Sequence, residues 1–387
     1  MRRYLSIGAL VCSIVAVTAH ACLWDRDTLA AEARGLPGIT EVITGRFDRF
    51  PPLFYEMRLE RVAAEVEADA DRLDLYDDAG VACDRLGRSD EAIAWMGQKL
   101  VVLERLESEG VDVSEHRYRY LANLGTFYIH RWLKGGQDRE DMGDVERARE
   151  LIAAAIELNP EAHFGRERYQ LLAIEWVLDP PRGEDTGRTF LHTIPGYSRY
   201  EYGTRNFELA AMGYPDAARG ISGLIALGAA WESADIFYAL AFALGDRNDA
   251  STALVAMNRA RELAGKGTHT QLLEPENYRL DRTPGARSIR DDQSRAINRW
   301  YIEARLEADS WVQRRNQYLS VRLEQGLHPD ISAEFWGDWA ETTSAPTLPG
   351  TGYRVFIYSV GLTVLALFGF LIYRVKLDRS KRSIIKT

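Results

Sequence analysis

The chain has 387 residues, a formal net charge of −9 and 3 cysteines. An acidic chain does not suit a nucleic-acid-binding protein, because such proteins neutralise phosphates with an excess of Lys and Arg. Cys12 and Cys22 lie at the N-terminal end, so Cys83 has no cysteine partner in the body of the chain. The body is long enough to bury a large core and must be stabilised by packing rather than by disulfides.

Residues 1–21 have the pattern of a secretory signal peptide. Two arginines precede an apolar run, 4–18, and Ala19 and Ala21 occupy the two small-residue positions that a signal peptidase reads. We expect cleavage after Ala21 and export of the rest of the chain. Cys22 follows directly, so lipid attachment at this cysteine is an alternative, although Ala19 stands where lipoprotein signals usually carry a bulky apolar residue.

The body that follows an N-terminal extension, 22–54, has the apolar pattern of helices. Windows rich in Ala, Leu, Glu and Arg repeat apolar residues at spacings of three and four, and alternating strand patterns are absent. One such face combines Leu59, Val62, Ala63 and Val66. A second, with Ser89 as its expected N-cap, combines Ala92, Trp95, Met96, Lys99, Leu100 and Leu103. The sequence therefore predicts an all-α fold.

Small residues recur at fixed positions in two pairs of these helices. The clearer pair carries Leu121, Leu124, Gly125 and Tyr128 in its first helix and Gly143, Ala148, Ile152, Ala155 and Pro160 around its second. The earlier pair carries Tyr76, Ala79, Gly80, Cys83, Gly87, Ala92 and Met96. Both resemble tetratricopeptide (TPR) repeats, which implies antiparallel helix pairs stacked in a solenoid. The clearer copy departs from the family by an insertion around 135–138, which we expect to loop out from the helix turn.

The resemblance divides the body into segments. Residues 55–180 are predicted to form TPR-like repeats, 181–204 a loop or boundary, 205–265 degenerate TPR-like repeats, and 266–287 a linker. In the degenerate part the turns at 213–218 and 245–250 each run from a glycine to an alanine, and the two alanines are separated by about one repeat period. This second part of the solenoid has the weaker pattern.

Residues 288–340 are predicted to form a helical cap. The stretch 288–325 contains neither Gly nor Pro and keeps apolar residues at helical spacing, so we expect one long helix or two with a slight bend. Such a helix would cover the open apolar face of the last repeat. We expect Phe335, Trp336 and Trp339 to pack beneath it, the alternative being the headgroup layer of a membrane.

The C-terminal end is predicted to cross a membrane. After a linker, 341–354, the apolar stretch 355–373 would be about 28 Å long as a helix, enough to span the hydrocarbon core. The tail 374–387 carries an excess of Lys and Arg and is expected to stay in the cytoplasm. The chain is therefore predicted to be a single-pass bacterial membrane protein whose body is extracytoplasmic.

Five residues just before this span form a second pattern, made of Leu348, Pro349, Gly350, Thr351 and Gly352. They resemble the sorting signal of cell-wall-anchored bacterial proteins. In that family a sortase cuts between the residues corresponding to Thr351 and Gly352 and joins the threonine to the wall. The short linker in front of the motif favours a permanent membrane anchor, so both kinds of anchoring stay open.

The repeat resemblance also implies a binding groove lined by fixed positions of the first helices. These positions are Asp74, Asp77, Val81, Asp84 and Arg85 in one repeat and Arg119, Ala122, Thr126, Ile129 and His130 in the next. Asp77 and Asp84 are two helical turns apart, so both carboxylates can face the same way. The groove would begin acidic and become basic, which suits a basic or dipolar peptide of a protein partner. The alternative is an ordinary charged surface.

Motifs for catalysis and cofactor binding are absent from the sequence. It has no zinc-protease helix motif, paired cysteines, phosphate-binding glycine loop or nucleophile elbow, and we expect no metal, no cofactor and no enzymatic activity. Asp138, Glu140, Asp141 and Asp144 crowd the inserted loop, but the alternating spacing of a calcium loop fails at Met142. They are better interpreted as a soluble loop.

The predicted function is that of a membrane-anchored extracytoplasmic adaptor or scaffold for protein partners. The alternative from another class is an extracytoplasmic hydrolase or glycan-modifying enzyme, which would require two cooperating carboxylates. Candidates where the repeat register is lost are Glu184, Asp185, Glu201, Asp216, Glu274 and Glu276, and no pattern selects a pair among them.

Overall fold

The computed structural model describes residues 23–160, 165–182, 187–197, 208–228, 230–266, 278, 280, 283–284, 288–340 and 345–349. Regular structure in these residues is entirely helical, which confirms the all-α class. None of their helices combines the length and the apolarity needed to cross a bilayer. The predicted signal peptide, Cys22, the span 355–373, the tail 374–387 and the sorting-motif residues Gly350, Thr351 and Gly352 lie outside the described residues.

The helices follow one another as α1 (Arg26–Arg34), α2 (Ile39–Thr44), α3 (Pro52–Ala68), α4 (Leu73–Arg85), α5 (Ser89–Ser108), α6 (Ser114–Lys134), α7 (Gly143–Leu158), α8 (Arg166–Leu178), α9 (Glu208–Ala211), α10 (Ala217–Ala226), α11 (Ala234–Asp246), α12 (Ala250–Lys266) and α13 (Asp291–Glu324). They belong to two compact units. Unit 1 comprises Met1–Leu36 and Tyr55–Ile174, and unit 2 comprises Pro37–Phe54 and Glu175–Thr387.

Unit 1 is built from helix pairs. Helix α4 packs against α5 and α6 against α7, and both helices of the first pair also contact α6. The turn between α4 and α5 depends on Gly87, whose φ of 77° lets the Arg88 N–H reach the Cys83 carbonyl at 2.9 Å. Helix α5 begins at Ser89, with Arg88 at the cap position and no side-chain cap bond, so the predicted Ser89 cap is wrong. The chain enters this helix through the glycine turn instead.

Small residues let the paired helices of unit 1 approach closely. A Cβ on Gly125 would lie 2.9 Å from the Ile152 Cδ1 across the α6–α7 contact, and one on Gly80 would lie 3.0 Å from the Met96 Cε across the α4–α5 contact. Ala148 is fully buried. Because each large apolar side chain removed from water contributes about 1.5–3 kcal/mol, this packing is the main source of stability in the described part of the unit, where Cys83 is a free thiol. Its core includes Leu23, Val62, Leu75, Ala79, Cys83, Ala92, Met96, Leu103 and Phe127.

The insertion in the clearer repeat does not loop out as a whole. Helix α6 continues through Lys134 and takes up part of it, leaving only 135–142 outside a helix. Trp132 is 6% exposed, and the Arg131 guanidinium donates to both carboxylate oxygens of Asp144 at 2.7 and 2.6 Å. The buried indole and this bidentate ion pair explain why α6 extends beyond the length that the repeat family predicts for this helix.

Residues 187–197, within the predicted loop or boundary, are partly packed. A 3₁₀ turn spans Phe190–Thr193, and Phe190 and Leu191 are buried together with Ile194. The indole Nε1 of Trp176 donates to the Arg188 carbonyl at 3.1 Å. This part of the segment therefore contributes apolar side chains to unit 2 rather than serving only as a connection.

Unit 2 centres on α11 and α12. Helix α11 packs against α10 and α12, and the short α2 contacts α10, α12 and α13. The predicted turn at 245–250 joins α11 to α12, and Gly245 is the last residue but one of α11, where a Cβ would overlap Pro284. The turn is made by Asn248 in the left-handed conformation, with φ 57°, and the Asp249 N–H donates to the Leu244 carbonyl at 3.0 Å.

The C-terminal part of unit 2 is organised by α13. This helix runs unbroken from Asp291 to Glu324 and packs on α12. Phe335 is fully buried, Trp336 stacks on Tyr318 of α13 with ring centroids 5.7 Å apart, and Trp339 lies 5.2 Å from the same ring. These three aromatic side chains therefore pack against α13, as the sequence predicted.

Candidate binding face

The ten predicted groove positions lie on α4 and α6, and together with Asn123 they form what we term the α4–α6 face. Seven of the ten are buried, with exposures between 0% and 8%: Asp77, Val81, Asp84, Ala122, Thr126, Ile129 and His130. Asp74, Arg85 and Arg119 are partly exposed. The face is thus largely covered. Residues 23–27, which we term the N-terminal segment, lie over the end of the face that carries Arg119 and Asn123.

Asn123 binds the main chain of the N-terminal segment. The Trp24 N–H donates to the Asn123 Oδ1 at 2.7 Å, and the Asn123 Nδ2 donates to the Trp24 carbonyl at 3.2 Å. Both the donor and the acceptor of one peptide residue are therefore satisfied by one side chain. Asn123 is itself fully buried. Contacts of this kind recognise an extended backbone whatever its side chains.

An ion pair orients the Asn123 amide. Its Nδ2 also donates to the Asp77 Oδ1 at 3.0 Å, and the Lys99 ammonium donates to both oxygens of Asp77 at 2.7 Å. Because a carboxylate only accepts, the amide nitrogen must point at Asp77, which leaves the amide oxygen for the Trp24 N–H. Burial raises the pKa of Asp77 and lowers that of Lys99, and the attraction between the two charges opposes both shifts. The Asn123 side-chain amide is thus oriented by Asp77 of α4, which is itself held by Lys99 of α5.

Trp24 occupies an aromatic and cationic pocket. Its side chain is 2% exposed and meets the Tyr118 ring edge to face, with centroids 5.3 Å apart. The Arg119 guanidinium lies 4.6 Å from the indole centroid. Trp24 and Tyr118 also share a small apolar cluster with Ala122 and Ala155. A large, rigid ring fits this pocket at low entropic cost, and the cation adds to its binding.

Charged residues hold the second half of the N-terminal segment. The Arg26 N–H and Nε donate to the two oxygens of Asp78 at 2.9 and 2.7 Å. The fully buried Arg58 donates to both oxygens of Asp27 at 2.7 and 3.0 Å and lies 3.4 Å from Asp25. Asp25 in turn accepts from the Thr28 N–H at 2.9 Å and so caps α1.

The other end of the α4–α6 face is closed by its own side chains. His130 donates from Nδ1 to Asp84 at 2.8 Å, and the Lys134 ammonium donates to the same carboxylate at 2.8 Å. Burial alone would raise the pKa of Asp84, but these two partners hold it well below its ordinary value. Gln170 donates to the Thr126 hydroxyl at 3.0 Å. The buried charged residues at both ends of the face therefore pair with side chains of unit 1 itself: Asp77 with Lys99, and His130 with Asp84.

We expect the docking of the N-terminal segment to depend on pH through Asp25. Burial and then the Asp27 carboxylate raise its pKa from 3.8 to about 7, a shift that Arg58 opposes and Asp78 increases. Since the folded pKa exceeds the unfolded one, the docked state binds more protons. Docking should therefore be most stable below about pH 4 and weaken as the pH rises to about 7.

We expect the hydrogen-exchange protection factor of the Thr28 amide to fall across this pH range while amides of α6 stay protected. Asp25→Asn is the matched control, because asparagine still caps a helix but carries no charge. Its Thr28 protection should be nearly constant from pH 4 to 8. An equal fall in wild type and variant would assign the effect to another group.

The sequence indicated part of this arrangement. The structure brings Asp77, Ala122 and Arg119 together around the N-terminal segment, whereas Asp84, Thr126 and His130 lie at the other end with internal partners. The binding role of these residues, and of Asp74 and Arg85, stays a prediction. Sequence reasoning missed Asn123, Asp78 and Arg58. One signal was available: Lys99 stands within an apolar helical face, and a buried lysine requires a buried carboxylate partner.

The other chemical candidates remain unsupported by a site in the described residues. Asp144 of the acidic loop pairs with Arg131, and no group of three or more His, Cys, Asp or Glu side chains in the described part of the chain could hold a metal ion. Of the six carboxylates considered for hydrolysis, only Asp216 is described, and it is exposed. Comparisons of the chain with protein-family models, curated proteins and solved structures find no match. The likeness to TPR repeats therefore rests on the residues themselves.

Proposed function

We propose that this chain is a membrane-anchored extracytoplasmic adaptor, in which a TPR-like helical repeat binds an extended peptide segment of a protein partner on the α4–α6 face. The observation that carries the proposal is the pair of main-chain hydrogen bonds between Asn123 and Trp24. A buried amide that satisfies both polar groups of one peptide residue is a general device for holding an extended chain.

The surroundings of Asn123 support a binding role. Lys99 and Asp77 orient the Asn123 amide without any contact from the N-terminal segment, so the amide already has its binding orientation before a peptide binds. Preorganisation lowers the entropic cost of binding. Arg119 and Tyr118 add a pocket for an aromatic side chain next to it. Main-chain contacts would supply affinity, and the pocket would supply specificity.

Anchoring would turn this binding into a localised function. The apolar stretch 355–373 and the basic tail support a retained membrane helix, which confines the adaptor to two dimensions and raises the effective concentration of whatever it holds near the membrane. Sortase processing at Thr351 is the alternative anchor. Leu348, the first residue of that motif, is 5% exposed, so a sortase would first have to extract it from the fold. This favours the retained helix.

The proposal is tested by site-specific photocrosslinking in intact cells that express the full-length chain. A photoreactive amino acid at Asp74, a partly exposed position of the α4–α6 face, should give a discrete adduct with another protein. The same amino acid at Val101, which is 69% exposed on α5, is the matched control and should give none. Identical adduct patterns at both positions, or no adduct at Asp74, would overturn the adaptor function.

The same material distinguishes the two anchors. Detergent should release a chain whose intact mass includes the tail 374–387. A mature chain that ends at Thr351 and is released only by wall-degrading enzymes would show sorting instead.

A further inference from the structure

Residues 23–27 are held by groups that lie far from them in the sequence. Asn123 is 99 residues from Trp24, and Asp78 is 52 residues from Arg26. The segment has a buried aromatic anchor and paired charges, which is how a bound peptide is held by a protein surface. It covers the groups that the proposed function assigns to a partner.

We infer that the N-terminal segment is an intramolecular ligand that closes the α4–α6 face until a partner peptide of the same chemistry displaces it. The inference rests on the proposed peptide-binding function and adds two things to it: the chemistry of the partner and the means by which binding is regulated.

The contacts of the segment define the partner chemistry. Leu23 is fully buried in the core of unit 1, Trp24 fills the Tyr118–Arg119 pocket, and Asp25 and Asp27 face Arg58. A competing peptide would therefore carry a bulky apolar residue, then an aromatic one, then acidic residues. A basic residue between the acidic ones would reach Asp78, as Arg26 does.

The receptor side keeps its geometry when the segment leaves. The Lys99, Asp77 and Asn123 side chains belong to α5, α4 and α6, and their mutual bonds involve no atom of the segment. Departure would break both Asn123–Trp24 hydrogen bonds and open the apolar Trp24 pocket to water. The face without a bound segment is therefore less stable than the closed face, and a replacement peptide would restore the lost contacts.

The segment is nevertheless suited to release. Its charged half is held by ion pairs whose receptor partners, Asp78 and Arg58, are buried, and the desolvation of buried charges offsets much of their attraction. Helix α1, which includes the last two residues of the segment, is only partly buried where its side chains are described, and Arg34 at its end is exposed. A tethered segment competes at an effective concentration on the order of millimolar, so a partner must bind tightly or be abundant to open the face.

The test uses the full-length chain in detergent and a fluorescent peptide of residues 23–34, with binding followed by anisotropy. Trp24→Ala should bind this peptide about tenfold more tightly than wild type, because its own segment no longer fills the face. A peptide with alanine in place of the tryptophan is the matched control and should bind neither protein. Trp24→Ala combined with Asn123→Ala should lose at least about tenfold in affinity.

The outcomes separate the inference from the proposed function. Equal affinity in wild type and Trp24→Ala would leave the peptide site standing and overturn closure by the segment. A folded Trp24→Ala chain that binds no peptide would overturn both. Concentration-dependent dimers that exchange their segments would show that the ligand belongs to a second copy, which also contradicts closure within one chain.

A second measurement covers the case in which Trp24→Ala fails to fold. Excess isotope-labelled peptide added to wild type should speed hydrogen exchange at residues 24–28 and leave α6 unchanged. Unaltered exchange at 24–28, with bound peptide detected, would show that the segment is a permanent part of the core.

Discussion

Lys99→Met is expected to destabilise unit 1 by about 3–5 kcal/mol, because it leaves the Asp77 carboxylate buried without its cation. The Lys99 side chain is fully buried, and Asp77 is 2% exposed. Methionine fills a similar volume, so the loss would come from the unpaired charge rather than from a cavity. Cys83, fully buried in unit 1, reports unfolding through pulsed thiol labelling of its peptide along a urea series.

A double-mutant cycle gives the control for this prediction. Asp77→Leu alone should also destabilise unit 1, since it leaves the Lys99 ammonium unpaired. The double variant removes both charges and should recover at least half of the loss. A change below about 1 kcal/mol for Lys99→Met would mean that water or another group replaces the lysine, and the proposed orientation of Asn123 would then lose its basis.

Gly45→Ala is expected to destabilise unit 2 by about 2–5 kcal/mol through two separate effects. Gly45 ends α2 in the left-handed conformation, with φ 89°, where a Cβ costs about 1–2 kcal/mol. The new methyl group would also overlap the Trp231 ring, which overpacks the contact for about another 1–3 kcal/mol. Hydrogen exchange of α12 peptides at increasing urea concentrations measures the loss.

Gly326→Ala separates the two effects. Gly326 has a similar φ of 79° in the same unit, but nothing lies within 4 Å of the Cβ it would gain. It should lose only the backbone contribution of about 1–2 kcal/mol. Equal losses in the two variants would show that the Trp231 ring moves aside at little cost, and that α2 is held less tightly against its neighbours than the structure indicates.

Trp231 explains why α2 is sensitive to such a change. The Arg49 and Arg259 guanidiniums lie 4.4 and 4.0 Å from its ring centroid, and Arg305 donates to the Thr44 carbonyl at the end of α2. Arg305 and Arg49 thus bind carbonyls at the end of the helix, and Arg259 stacks with them on the same indole. Burial, together with the neighbouring Arg305, lowers the pKa of Arg49 to about 10. We interpret the cluster as a structural one that holds the C-terminal end of α2, because its arginines already contact carbonyl oxygens and aromatic rings.

Much of the candidate site could not be predicted because its bonds join residues far apart in the chain. Repeat positions placed Asp77 and Arg119 on one face, and the structure agrees. Asn123 lies between Ala122 and Leu124, where no local pattern distinguishes a buried amide from an ordinary helix residue. Residues 23–27 fell in an extension without periodicity, so nothing in their order indicated that Trp24 would be buried.

Local sequence determined the helices of this protein and many of their ends. Apolar spacing, a glycine in the turn after α4, small residues at helix contacts and an uninterrupted stretch for α13 depend on neighbours within a few residues, so they can be read directly. Tertiary structure alone decided that 37–54 belongs to unit 2, that α6 extends into the insertion, and that Lys99 pairs with Asp77. These outcomes depend on which distant surfaces remove the most apolar area while satisfying every buried polar group, a balance that no local pattern encodes.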